Sequence, residues 1–323
     1  MTVRVGFVGC GGMNSAHMRS LARLESAQLV AFSDPDLARA QSKAEEFEGR
    51  AYESHEAMLE AEALDAIYVA VPPFAHTTTE LMAAEKGCAV FVEKPVATTL
   101  EKALEINEGL KKAGVVTQVG YHWRWFDTTE QAAALLPKDQ VHMALGYWNG
   151  GFPGVAWWRV LAESGGQFVE QTTHIFDLAR YLVGEVKQVG AFATLRAMKD
   201  TPNMDVPDVG VATLEFESGA IGTVMNTCAL TQGHKVGLAL VGHDLVVEHN
   251  AGQLLVIKPE GREEVTPTVN PVEREDEVFI QAVKTGDTSA IRSSYEDGVK
   301  SLAVSLAVNE AWQKGKVVEV PRI

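Results

Sequence analysis

Over the first 120 or so residues, short apolar runs alternate with segments of helical period. The runs at Val3–Val8, Leu29–Phe32, Ala66–Val71, Ala89–Val92 and Val116–Tyr121 are rich in Val, Ile, Ala and Phe. A strand apolar on both faces belongs in a parallel sheet covered by helices. Between them His17–Glu25, Asp36–Phe47, His76–Lys86 and Leu100–Lys112 repeat apolar positions every three to four residues. Strand and helix in alternation predict βαβ units with right-handed crossovers, hence a doubly wound α/β sheet.

Beyond residue 121 the rhythm changes. Long strand-like segments follow one another at Lys187–Met198, Val209–Glu217, Ala220–Gln232, Val236–Val241, Leu245–Glu248 and Leu254–Ile257. Ser218-Gly219 separates two of them as a tight hairpin turn. Ala212, Leu214 and Phe216 alternate with Thr213, Glu215 and Glu217, the pattern of an antiparallel strand with one covered face. Helices are predicted at Thr173–Val183, stopped by Gly184, and at Val272–Lys284 and Glu296–Lys314 after a loop at Thr266–Pro271. The expected architecture is a Rossmann domain over 1–121 followed by an α+β domain over 122–323 with a large, open, mostly antiparallel sheet.

Length and charge narrow the function. A chain of 323 residues suits two domains. Its 43 acidic against 28 basic residues give a net charge of −15, which repels phosphate backbones and anionic lipid; nucleic-acid and membrane partners are not expected. No apolar stretch approaches the ~18–20 residues of a membrane span. The N-terminus enters a strand at once, without a secretory leader pattern. Cys10, Cys88 and Cys228 are odd in number and widely spaced, fitting a reducing cytoplasm and no cysteine metal cluster. His243 and His249, beside Asp244 and Glu248, match no tight ligand spacing, so no metal site is expected.

Val8-Gly9-Cys10-Gly11-Gly12-Met13-Asn14 stands where the first strand ends and the first helix begins. Gly9 permits a tight turn, Gly11 lets the backbone approach a pyrophosphate, and the helix N-terminus, with Gly12 and Met13, offers unpaired N–H groups. Asn14 takes the slot of the usual third glycine. Asp34 closes the second strand 23 residues beyond Gly11, where a carboxylate binds ribose hydroxyls and repels a 2′-phosphate. Asp34 could equally cap the following helix, given Pro35. The reading favours NAD, with NADP as the alternative through Arg39.

Two further strands end in Ala70-Val71-Pro72-Pro73-Phe74-Ala75-His76 and Phe91-Val92-Glu93-Lys94-Pro95. Both mouths fall at the carboxyl edge of the sheet, where doubly wound folds bind ligands. Glu93-Lys94-Pro95, the stretch Pro72–His76 and the run Gly165-Gly166-Gln167-Phe168-Val169-Glu170-Gln171-Thr172-Thr173-His174-Ile175-Phe176-Asp177 together resemble the Gfo/Idh/MocA oxidoreductase family over essentially the whole chain. The resemblance implies hydride transfer between a secondary alcohol of a sugar or polyol and a nicotinamide. It assigns Lys94 to the developing alkoxide and His174 to the hydroxyl proton. Independently, a lysine in a desolvated cleft titrates nearer neutrality and a histidine does so unaided. Glu170, four residues before His174, is expected on the same face of the catalytic group, positioning the substrate hydroxyl or orienting His174. Glu170 replaces the family's usual Asp and Thr172 its Gly, so the resemblance does not carry a particular substrate. Asp177 is expected to be a structural partner of its helix.

Val71, Pro72, His76, Glu93 and Lys94 complete the expected cofactor set. Trp158-Arg159 joins them, being similar to a family Trp-Arg pair near the nicotinamide. His122, Arg124, Trp148 and Asn149 are expected on the substrate side. Five of the six tryptophans fall between Trp123 and Trp158, and indole faces stack on sugar C–H patches. The resemblance also has the last helix, about 296–314, pack back on the Rossmann domain. A sheet face carrying Val211, Thr213 or Val224 lacks helical cover, so a homodimer or homotetramer is expected. Two other functions fit the same motifs: glycoside cleavage through transient oxidation by a retained cofactor, and a non-catalytic NAD(P)-sensing regulator. The presence of both Lys94 and His174 weighs against the regulator.

Overall fold

The computed structural model describes residues 2–323, in two compact units. The first comprises residues 2–122 with Pro271–Val299, the second Trp123–Asn270 with Lys300–Ile323.

The first unit alternates as its apolar pattern predicts: β1 (Val3–Val8), α1 (Gly12–Leu21), β2 (Ala27–Ser33), α2 (Leu37–Phe47), β3 (Arg50–Tyr52), α3 (His55–Ala61), β4 (Ala66–Val69), α4 (Thr79–Glu85), β5 (Ala89–Val92), α5 (Leu100–Ala113) and β6 (Thr117–Val119). The six strands are parallel in the order β3-β2-β1-β4-β5-β6, so the winding reverses between β1 and β4. Every residue of β4 and β5 is buried, as their unbroken apolar runs require. Two elements were not anticipated, the edge strand β3 and helix α3, both too short to establish a period.

The second unit contains α6 (Asp127–Leu135), β7 (Met143–Asn149), α7 (Leu161–Ser164), α8 (Gln167–Glu170), α9 (Thr173–Val183), β8 (Val186–Thr194), β9 (Val209–Phe216), β10 (Ile221–Thr227), β11 (Lys235–Gly242), β12 (Leu245–Asn250), β13 (Gln253–Lys258) and β14 (Gly261–Val265). After α10 (Pro271–Thr285) and α11 (Tyr295–Lys314) the chain ends in β15 (Val318–Glu319). The nine-stranded sheet runs β14-β13-β12-β11-β7-β10-β9-β8-β15 and is antiparallel except where β10 pairs with β7. β7 is central yet was not predicted, because Met143–Asn149 neither alternates cleanly nor forms an unbroken β-branched run.

One face of this sheet packs on α6, α9 and the later part of α11 through Ala132, Leu136, Ile175, Phe176, Leu178, Val304, Val308 and Ala311. Val224, expected on the open face, is fully buried. It pairs across the sheet with Ala212, which shares its covered face, while Val211 and Thr213 point the other way.

The 122–323 boundary also differs. Pro271–Val299 belongs with the first unit, because Phe279 and Ile280 of α10 enter the same core as Phe7, Tyr68 and Phe91. Helix α11 divides: its first turn is held in the first unit, with Gly298 against Val119, and the remainder belongs to the second.

Candidate active site

The glycine turn is shaped by what a side chain would meet. Gly9 adopts φ +85°, and a Cβ there would lie 2.3 Å from the Ala70 carbonyl oxygen, so the end of β4 closes against the turn. Gly11 and Gly12 face open space, with nothing within 4 Å of an added Cβ. No side chain caps α1 and no acid sits in its first turn, so its leading N–H groups are available to an anion. Asn14, in the slot of the third glycine, donates through Nδ2 to the carbonyls of Val8 at 2.9 Å and Gly9 at 2.6 Å, tying the helix start to the strand. Met13 is exposed beside it. Asp34 accepts one backbone N–H on each oxygen, from Cys10 and from Asp36, both at 2.9 Å. Each of these oxygens keeps lone-pair capacity for a ribose hydroxyl. Arg39, the alternative partner for a 2′-phosphate, pairs with Asp36 at 3.1 Å. The open glycine cradle, the uncapped helix and the carboxylate together fit a dinucleotide.

At the neighbouring strand mouths the expected residues divide. Val71 and Pro72 are half-buried and continue from β4. His76 is buried and its Nδ1 lies 2.5 Å from Glu80 Oε1, a pair within the wall. Glu93 is likewise interior: His17 Nε2 is 3.1 Å from its Oε1, and Oε2 accepts the Lys94 N–H at 3.2 Å. A Cβ on Gly120 would come within 2.4 Å of the same carboxylate, so the chain after β6 needs glycine there. Burial opposes ionisation of Glu93, but the hydrogen bond and charge of His17, with Lys94, hold its pKa below the ordinary value. Lys94 is half-buried, next to a cis bond to Pro95. His122 belongs to the same unit; desolvation takes its pKa down to about 4 despite the opposing charge of Glu93, so it is neutral at pH 7.

In the second unit, His174 is buried near the start of α9 and forms a group of three nearly parallel rings. It lies 5.6 Å from Trp123 and 5.8 Å from Trp148, centre to centre, and the two indoles are 5.9 Å apart. Glu170 is half-buried at the end of α8 and its Oε2 accepts the indole N–H of Trp158 at 2.9 Å. Trp158 itself is fully buried with Met204, Val206 and Cys228, so its ring is core and its polar edge orients Glu170. The Arg159 guanidinium lies 5.3 Å from the Phe152 ring centre. Asn149 ends β7, and its carbonyl accepts the His234 N–H.

Arg124 is corrected. Rather than facing substrate, it is buried and forms a two-pronged ion pair with Asp177, Nε to Oδ2 at 2.8 Å and Nη2 to Oδ1 at 2.6 Å. Ser301 adds a hydroxyl to Asp177 Oδ1 at 2.7 Å. The expected structural role of Asp177 thus extends to Arg124, whose partner lies too far along the chain for spacing to reveal. His17, Asp276 and Glu275 were also missed, because a histidine inside an amphipathic helix carries no local signal of distant carboxylates.

A parallel sheet reversing at β1/β4, an open glycine turn and an acid ending β2 define a dinucleotide-binding protein of the doubly wound class. The model described as "Oxidoreductase family, NAD-binding Rossmann fold" matches residues 3–121, and that of the "GFO/IDH/MocA C-terminal domain" matches 139–248. The chain belongs to this Gfo/Idh/MocA family and is an NAD(P)-dependent oxidoreductase. It is 26% identical over 338 residues to a Myo-inositol 2-dehydrogenase of Thermotoga maritima, covering 99% of each chain. It is 28% identical over 249 residues to a scyllo-inositol 2-dehydrogenase (NAD(+)) of Bacillus subtilis, 74% of this chain and 71% of the relative. Among solved structures, a levoglucosan dehydrogenase in complex with NADH shares the fold, with TM-score 0.90, 20% identity and full coverage of both chains.

Proposed function

We propose that this enzyme oxidises a secondary alcohol of a sugar or polyol, with NAD preferred over NADP. The observation that carries the cofactor half is the pairing of an open Gly11-Gly12 cradle with the Asp34 carboxylate, which repels a 2′-phosphate. The substrate half rests on inositol dehydrogenases being relatives along most of both chains, and on the Trp123–Trp148–His174 ring group, whose apolar faces and imidazole suit a polyhydroxylated ring. When bound, the dinucleotide supplies the hydride acceptor. Lys94 steadies the alkoxide oxygen, His174 takes the hydroxyl proton, and Glu170, oriented by Trp158, positions a neighbouring hydroxyl. Val71, Pro72 and Met13 line the cofactor side, with Arg159 toward the nicotinamide; His122, Trp148 and Asn149 serve the substrate side.

The test is an absorbance screen with NAD and with NADP against myo-inositol, scyllo-inositol, D-xylose and methyl β-D-glucoside, repeated with Lys94→Ala. We expect NADH formation with at least one polyol or sugar and a loss of kcat of about 10³-fold in the variant, with NAD affinity retained. Variant turnover equal to wild type refutes the role of Lys94. Glycoside cleavage without NADH accumulation would replace dehydrogenation by transient oxidation.

The enzyme is further proposed to act as a homodimer or homotetramer in the cytoplasm. On the sheet face without helical cover, Phe192 is 84% exposed, Ile221 54% and Val211 42%, and Phe192 pairs directly with Val211 across β8/β9. An apolar patch of this kind calls for a second copy. Three buried free cysteines suit a reducing compartment. Sedimentation showing only monomer at micromolar concentration would refute the assembly.

A further inference from the structure

The first unit holds a buried ionic cluster that the proposed chemistry does not use. His17 on α1 is completely buried. Its Nδ1 lies 2.8 Å from Asp276 Oδ1 on α10, and its Nε2 lies 3.1 Å from Glu93 Oε1. Glu275 joins them, its ligand atoms within 4.8 Å of those of His17 and Glu93. Tyr68 of β4 and Phe91 of β5 pack against the ring at 5.2 and 4.8 Å between centres, and Tyr68 stacks on Phe91 at 4.5 Å. A neutral imidazole has one N–H and one lone pair, and here the lone pair would face a carboxylate oxygen. The geometry therefore calls for an imidazolium donating from both nitrogens. The charges agree: burial alone lowers the His17 pKa, but Asp276 and then Glu93 raise it well above the ordinary value. Glu275 goes the other way, burial holding its carboxyl well above the usual range and so neutral.

We propose that His17 is a positioning residue for Lys94, acting through Glu93 and anchored by Asp276. This rests on the reading of Lys94 given above. The chain of contacts is short. His17 fixes one oxygen of Glu93, Gly120 leaves the carboxylate no room for a neighbouring Cβ, and the other oxygen accepts the Lys94 backbone N–H. Ionised, Glu93 offers both oxygens as charge-assisted acceptors; protonated, it must place an O–H on a partner and holds the Lys94 N–H only through a weaker neutral acceptor. Without the imidazolium, only the charge of Lys94 is left to offset the burial of Glu93, and a proton on Glu93 becomes the cheapest relief. A protonated carboxyl must find an acceptor for its O–H, and turning to one weakens its hold on the Lys94 peptide, so the amine of Lys94 loses its registration. This also gives α10 a function: it delivers Asp276, the counter-charge that keeps His17 protonated.

The test compares wild type, His17→Gln, Asp276→Asn and Lys94→Ala, with NAD and whichever compound of the four-substrate screen is turned over fastest, between pH 6 and 10. His17→Gln is expected to lower kcat at pH 7 about tenfold or more, roughly the effect of one pKa unit of lost charge interaction, with the KM for NAD within about threefold because the glycine cradle is untouched. The decisive readout is the pH profile. In the variant Glu93 ionises only at higher pH, so part of the lost kcat returns as pH rises toward 10. A purely structural role gives a loss that is flat in pH and follows the fraction folded, measured by thermal unfolding in the same buffers. The double variant His17→Gln/Asp276→Asn removes one charge of each sign and is expected to recover several-fold over His17→Gln. Should His17→Gln not fold, Asp276→Asn keeps the ring and is expected to show the same pH-dependent loss in smaller measure. If Lys94→Ala abolishes turnover while both single variants keep the wild-type kcat and profile, the positioning role is overturned and the reading of Lys94 stands. If Lys94→Ala turns over normally, both fall.

Discussion

Arg124 offers the sharpest separation of a structural from a ligand-binding role. Both ends of its ion pair are interior, with 4% of the Arg124 side chain and 1% of the Asp177 side chain exposed. Asp177→Ala would leave the guanidinium buried and unbalanced, and strip Ser301 of its acceptor as well. Removing one partner of a buried pair costs about 3–5 kcal/mol. For a unit of this size each kcal/mol moves Tm by about 2–4 °C, so the transition that includes the second unit should fall by about 6–20 °C. Urea unfolding followed by circular dichroism and fluorescence measures the free energy; calorimetry resolves whether the units melt separately. Replacing both residues with apolar side chains of similar volume, Arg124→Met/Asp177→Leu, should recover at least half of the loss, since what costs most is the orphaned charge. At 25 °C the fraction that folds should keep its substrate KM within about threefold. A shift in stability below about 1 kcal/mol, together with a KM raised more than about tenfold, would refute the structural assignment and return Arg124 to the substrate.

Other outcomes follow from the same geometry. Gly9→Ala should destabilise the first unit and abolish NAD binding, because its Cβ meets the Ala70 carbonyl at 2.3 Å in a conformation closed to L side chains; calorimetry and a NADH fluorescence titration read both. Gly12→Val, facing open space, should leave Tm nearly unchanged yet weaken NAD by more than about tenfold, since it fills the space a pyrophosphate needs. His122 and His249, taken down to about 4 mainly by desolvation, bind fewer protons folded than unfolded. Their contribution to stability is therefore present above pH 6.5 and lost as pH falls toward 4, roughly 3 kcal/mol each at the limit, against which His17 contributes in the opposite sense; urea melts at pH 7 and pH 5 test the direction. Cys10, with its thiol pushed up to about 12 first by burial and then by Asp34, should react with a disulfide reagent at pH 8 only after unfolding.

Much of the backbone was legible without coordinates. Helix α9 runs over Thr173–Val183 as its period and the stop at Gly184 require, and β9 alternates buried Ala212, Leu214 and Phe216 with outward Thr213. The unbroken apolar runs of β4 and β5 announced a sheet covered on both sides. These features are local: burial imposes a period on contiguous residues, and the period can be read. Glycine spacing and the acid ending β2 are local in the same sense, which is why the cofactor cradle was visible.

What folding alone decided is who meets whom across long stretches of chain. His17 finds Glu93 76 residues away and Asp276 259 residues away, and nothing in an amphipathic helix reports such partners. Arg124 looked available until Asp177 reached it; Val224 looked exposed until its register with Ala212 turned it inward. The return of α10 to the first core depends on Phe279 fitting beside Tyr68 and Phe91, a match of shapes rather than of pattern. Charge and packing complementarity act between surfaces that exist only once the chain has closed, so they belong to the tertiary structure, whereas periodicity belongs to the chain.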